Sequence, residues 1–81
     1  MDFSLAEENY LKAIHHLSRQ GSGIVSTNTI AEELDTSPAS VTDMVKKLAS
    51  KKMVNYIKYK GVSMTEEGDK IALWIIRKHR L

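Results

Sequence analysis

Hydrophobic positions recur at helical spacing in four stretches of the chain and alternate with polar ones in a fifth. Ser4 and Glu7 have the spacing of a capping box, and Leu5, Tyr10, Ile14 and Leu17 follow as an apolar stripe that Leu11 widens. Gly21-Ser22-Gly23 predicts the end of this first helix, and Ile24-Val25 a short extended piece. Asn28, Ser26 or Thr27 can cap a second helix, whose apolar face is Ile30, Ala31 and Leu34. Asp35-Thr36 is a tight turn. Ser37 then caps a third helix with Pro38 at its first position, where the missing N–H costs nothing. Val41, Met44, Val45 and Leu48 fall at i, i+3, i+4 and i+7 and set its core face, and the helix ends near Lys51 or Lys52.

The next segment changes period. Val54, Tyr56 or Ile57, and Tyr59 favour a strand, Lys60-Gly61 a turn, and Val62-Ser63-Met64 a short return strand. Thr65 starts a last helix with Glu66 and Glu67 in its first turn, where acidic groups suit the helix dipole. Its apolar run of Ile71, Leu73, Trp74, Ile75 and Ile76 exceeds what one buried face needs, and it closes on Arg77, Lys78, His79 and Arg80. The order is therefore three helices, a hairpin and a helix. A lone hairpin is marginal and must lean on the helices. Two helices joined by a short turn and followed by a hairpin predict a mainly α fold with a small β-hairpin, a winged helix-turn-helix.

Composition narrows the function. With 81 residues, 42% of them hydrophobic, the chain fits one domain, residues 1–81, and offers little room for an enclosed pocket. No nucleophile–base pair or phosphate-binding loop is evident, so an enzyme is not expected. The absence of cysteine excludes disulfides and thiolate metal sites. The first residues, MDFSLAEENY, do not read as a signal peptide, and no apolar run is long enough to span a membrane, so a cytoplasmic protein is expected. Charge is strongly polarised. Residues 1–45 hold two basic side chains against seven acidic ones, and residues 46–81 hold ten against three. A dipolar chain of this kind suits an oriented encounter with an anionic partner.

The third helix offers a specific face for such a partner. Opposite its core stripe lie Thr36, Ser37, Ala39, Ser40, Thr42, Asp43, Lys46 and Lys47. Small residues at its start allow close entry into a major groove about 12 Å wide. Serine and threonine can contact bases or phosphates, and Ala39 and the Thr42 methyl can touch thymine methyls. Lys46, Lys47, Lys51 and Lys52 would supply backbone affinity. The same residues also have an ordinary reading as caps, solubilising groups and dipole partners. Asp43 repels phosphate, and could either accept from a cytosine amino group or be exposed filler. Lys58 and Lys60 in the hairpin are candidate phosphate contacts, with Tyr56 and Tyr59 beside them mainly structural. His15 and His16 point in different directions along one helix, so one is expected to pack and the other to face water. His79 reads locally as a helix-end histidine that suits the dipole.

The stretches ENYLKAIHHL, TIAEELDTSPASVTDMVKKLASKKMVNYIKYKGVSMTEEGDKIA and IIRKHRL together resemble the N-terminal DNA-binding domain of the metal-dependent repressors related to the diphtheria toxin repressor and the manganese transport regulator. The resemblance covers nearly the whole chain. It implies a homodimeric repressor of metal-uptake genes that binds palindromic double-stranded operators when loaded with Mn(II) or Fe(II). By position, Ser37, Ala39, Ser40, Thr42 and Asp43 match the recognition helix, Thr27 and Lys46 backbone-contact regions, and Tyr56 to Lys60 the wing. The resemblance also implies metal ligands. One ligand position falls on Asn9, which offers a weak oxygen, a second on Lys12, which cannot bind while charged, and a third on His79. The family's dimerisation and remaining metal-binding residues are expected beyond residue 81, so no complete metal site is expected in 1–81. A winged-helix module that binds protein instead of DNA is the competing reading, for which the apolar last helix is suited.

Overall fold

The computed structural model describes residues 3–21 and 23–79, without the side chain of His79. Its elements are α1 (Leu5–Arg19), α2 (Thr27–Leu34), α3 (Pro38–Ser50), β1 (Val54–Ile57), β2 (Gly61–Met64) and α4 (Glu66–His79). This is the winged helix-turn-helix expected from the sequence. The capping box forms as its spacing requires: Glu7 N donates to Ser4 Oγ at 3.1 Å, and Ser4 N to Glu7 Oε1 at 2.9 Å. Of the three candidate caps of α2, Ser26 takes the role and accepts from Thr29 N. Asp35 closes α2 in the left-handed region at φ 53°, and Thr36 N returns to Ala31 O at 2.9 Å. This reverses the chain within two residues, and Ser37 caps α3 with Pro38 in its first turn.

Every element contributes to one core. Leu11 and Ile14 come from α1, Ile30 and Ala31 from α2, and Val41, Val45 and Leu48 from α3. Met53, Val54 and Val62 add the hairpin's share, and Ile75 that of α4. The stripe of α1 is rotated from its expected position. Glu7, Leu11, Ile14 and His15 are its buried residues, while Leu5 is 68% exposed. Two residues on a helix are about 200° apart, so Leu5 points away once Glu7 points inward. In α4, Ala72 and Ile75 are buried, whereas Leu73 and Trp74 on its outer side are 41% and 53% exposed.

The hairpin is antiparallel, with Val54 opposite Met64 and Ile57 opposite Gly61. It leans on the helices through a third segment: Val25 exchanges two 2.8 Å hydrogen bonds with Val62. Gly61 makes this possible. Its φ is 139°, and a Cβ there would lie 2.3 Å from Val25 O. Gly68 likewise lets α4 begin against Met53 O. Tyr59 departs from expectation, since it belongs to the turn and not to the strand. Lys60 N donates to Ile57 O at 3.0 Å, and Tyr59 adopts φ 69° at the tip of the turn. A side chain in that region costs roughly 1 kcal/mol over glycine.

Candidate nucleic-acid interface

The helical period separates two faces of α3. Val41, Val45 and Leu48 are fully buried. Ala39, Thr42, Asp43 and Lys46 also follow at i, i+3, i+4 and i+7, and of these only Thr42 is partly covered. Ser37, Pro38, Ser40 and Lys47 are exposed beside them, and Thr36 is half-buried. The hydroxyls are not equally free. Ser37 Oγ accepts from Ser40 N at 3.2 Å and donates to Ser40 Oγ at 3.0 Å, so it is occupied as a cap. Thr42 Oγ1 donates to Pro38 O at 3.0 Å, which leaves its lone pairs and methyl available. Ser40 keeps its own proton to donate.

Charge around this face is sorted by ion pairs between residues far apart in sequence. Lys51 Nζ lies 2.6 Å from Glu7 Oε2 and 5.1 Å from the centre of the Phe3 ring. Lys78 Nζ lies 3.0 Å from Glu8 Oε2 and 4.6 Å from the centre of the Trp74 ring. Lys51 is therefore held against α1, where the Glu7 carboxylate competes with any phosphate for it. Sequence reading missed this because Glu7 is 44 residues away. Among the described residues, Lys46, Lys47, Lys52, Lys58 and Lys60 make no ion pair, and all are exposed. The Lys51 ammonium, first, and the Ser4 N–H, second, hold the Glu7 carboxyl below its usual range, while burial opposes them.

The hairpin tip carries Lys58, Tyr59 and Lys60. Lys58 Nζ sits 5.3 Å from the centre of the Tyr59 ring. Neither tyrosine of the hairpin belongs to the core. Tyr59 is 93% exposed, because the turn places it beyond the last strand pair, and Tyr56 lies on the rim at 39%. Between this tip and the start of α2 is a cleft of about 310 Å³, walled by Ser26, Thr27 and Asn28 on one side and Tyr56, Tyr59 and Lys60 on the other. Thr27 thus lies near the wing and not on α3.

Asn9 is exposed on α1, and no group of three or more His, Asp or Glu that could hold a cation occurs among the described residues. The side chain of His79 lies outside them. His15 is buried with Nδ1 3.0 Å from Asp69 Oδ1, which ties α1 to α4, and His16 is exposed as expected. No helix among the described residues is long and apolar enough to cross a membrane.

The chain is 38% identical over 74 residues to the HTH-type transcriptional regulator MntR of Oceanobacillus iheyensis, covering 91% of this chain and 50% of that protein. Identity to MntR of Bacillus subtilis is 36% over 74 residues, with 91% and 51% covered. The chain therefore spans about half the length of these relatives. Among solved structures, ScaR with bound Zn2+ matches at 34% identity and TM-score 0.74, over 91% of this chain and 34% of that one. The Staphylococcus aureus regulator MepR shares the fold at TM-score 0.80 and 18% identity, over 95% and 58%. Residues 2–62 match the model described as "Iron dependent repressor, N-terminal DNA binding domain". The helix-turn-helix with its wing and this match together establish that the chain belongs to the iron-dependent repressor family, matching its N-terminal DNA-binding domain.

Proposed function

We propose that this domain is the operator-reading head of a metal-responsive transcriptional repressor. The outer face of α3 enters the major groove, with Ala39, Ser40 and Thr42 nearest the bases and Thr36, Ser37 and Pro38 shaping the entry. Asp43 stands among them as a discriminating acid. Lys46 and Lys47, with Lys58 and Lys60 of the wing, meet phosphates, and Thr27 approaches the backbone from the start of α2. The observation that carries this reading is the sorting of charge: the acids of α1 are engaged with Lys51 and Lys78, while the cations of α3 and the hairpin remain exposed without ion pairs.

Fluorescence anisotropy with duplex DNA at several salt concentrations tests it. Each phosphate neutralised contributes about −0.9 to the slope of log K against log salt, so four lysines give roughly −3 to −4. No binding at low salt overturns the reading. The protein acts as a homodimer on a palindromic operator in the cytoplasm, with two reading heads spaced by a turn of DNA. Dimerisation, and most of the site for Mn(II) or Fe(II), fall outside residues 1–81. Asn9 and His79 are this domain's own candidates for the metal, but Asn9 stands exposed, with no His, Asp or Glu cluster among the described residues to complete a site. If Mn(II) and Fe(II) both leave the operator affinity of a full-length protein unchanged, metal dependence is wrong for it. The exposed Leu73 and Trp74 favour a protein contact on α4, either a further part of the regulator or, in the competing reading, a separate protein partner.

A further inference from the structure

Among the described residues, Glu7 and His15 are the polar side chains buried with the core. Glu7 is engaged at both oxygens, by Ser4 N and Lys51 Nζ. His15 is engaged at one nitrogen. Its Nδ1 stands 3.0 Å from Asp69 Oδ1, and a carboxylate can only accept, so Nδ1 carries the proton. In the neutral ring Nε2 is then a bare acceptor. No described residue partners it, yet no described buried side-chain nitrogen is left without a partner, so Nε2 opens to solvent.

His15 and Asp69 line a cleft of about 420 Å³ between the end of α1 and the first turns of α4, bordered also by Ser18, Arg19, Met64 and Leu73. That volume is within the range of small-molecule sites. The two helices run antiparallel, since Glu8 pairs with Lys78 and His15 with Asp69. Arg19 lies one turn past His15 on α1, and Leu73 one turn past Asp69 on α4. They therefore extend toward opposite ends of the cleft, each displaced by roughly 6 Å along its helix. The cleft is graded along its length. At one end is the Arg19 guanidinium, which makes no ion pair among the described residues. In the middle are two acceptors, His15 Nε2 and the Asp69 carboxylate, whose side chain is 48% exposed. At the other end is the open apolar surface of Leu73, with Met64 as a half-buried wall.

This grading selects among ligands. Asp69 repels a phosphate. A divalent cation finds no group of three ligands among the described residues and meets Arg19. A hydrocarbon leaves both charges unanswered. A molecule with a carboxylate, an ammonium on the adjacent carbon and an apolar tail answers the whole length of the cleft.

We infer that the cleft between α1 and α4 binds a free α-amino acid with an apolar side chain. Its carboxylate pairs with Arg19, its ammonium donates to His15 Nε2 and to Asp69, and its side chain lies along Leu73 and Met64. The inference is independent of the DNA-binding reading, because none of these residues belongs to α3 or to the hairpin tip.

Isothermal titration calorimetry of this chain with L-leucine, L-methionine and L-valine tests it. Leucinamide, which lacks the carboxylate, and isocaproate, which lacks the ammonium, serve as truncated probes. Leucine should bind one to one, and each truncated probe about tenfold more weakly. Arg19→Gln should lower leucine affinity about tenfold, leave leucinamide unchanged and melt within about 2 °C of wild type, since Arg19 is exposed. Asp69→Asn should weaken leucine and leucinamide alike and spare isocaproate. If that variant melts low through loss of the tie to His15, Arg19→Gln decides the matter alone. No saturable binding of any of the three amino acids at about 10 mM overturns the inference. So does leucine binding that Arg19→Gln leaves unchanged, or leucinamide binding as tight as that of leucine. None of these results touches the DNA-binding reading.

Discussion

Removing the charge of Glu7 should destabilise the domain at neutral pH and leave it unaffected in acid. The carboxylate is 10% exposed and accepts from Lys51 Nζ at 2.6 Å and from Ser4 N at 2.9 Å. Glu7→Gln keeps an oxygen for Ser4, so the capping box survives, but Lys51 then faces a neutral amide. A hydrogen bond to a charged group contributes about 1.5–3 kcal/mol. The Lys51 side chain is 41% exposed, and water screens that end of the pair. A loss of about 1–2 kcal/mol is therefore expected. With a slope near 1 kcal/mol per molar urea for so small a domain, the unfolding midpoint should drop by about 1–2 M. The sign of the pH response follows from the direction of the shift. Lys51 and Ser4 hold the folded carboxyl below its unfolded value. Its stabilisation is therefore full above the unfolded value of about pH 4 and disappears as pH falls through the folded value. Urea titrations of both proteins from neutral to acid pH read this directly. A variant as stable as wild type at neutral pH, or a stability gap that persists in acid, refutes the reasoning.

Gly61→Ala should lose about 3 kcal/mol or fail to fold, since its Cβ would meet Val25 O at 2.3 Å and break the bridge that seats the hairpin; circular dichroism melts measure it. Leu48→Ala opens the fully buried centre of α3 and should cost about 2–5 kcal/mol in the same melts. Ser37→Ala removes the cap of α3 and should cost about 1 kcal/mol, read by urea titration. Replacing Lys46 and Lys47 together by glutamine should make the salt slope of DNA binding shallower by about 1.8 while leaving Tm nearly unchanged, because neither makes an ion pair in the fold.

Local chemistry made most of the fold legible. Caps at Ser4 and Ser37, the turn at Asp35-Thr36 and the spacing of Val41, Val45 and Leu48 act within a few residues, so the sequence alone determined three helices, their turn and the inward face of α3. The change of period after Met53 likewise announced the hairpin, and the pattern of small residues followed by lysines marked the outer face of α3. The tertiary structure decided which of those groups are free. Lys51 is adjacent in sequence to the exposed Lys52, yet it is held by a carboxylate from α1. It also decided that Glu7 turns inward while Leu5 turns out, and that Tyr59 stands exposed at the wing tip. The physical reason is the range of the forces. Helical periodicity and capping are set by neighbours three or four positions away, whereas ion pairing and burial depend on contacts between segments that only the folded chain brings together.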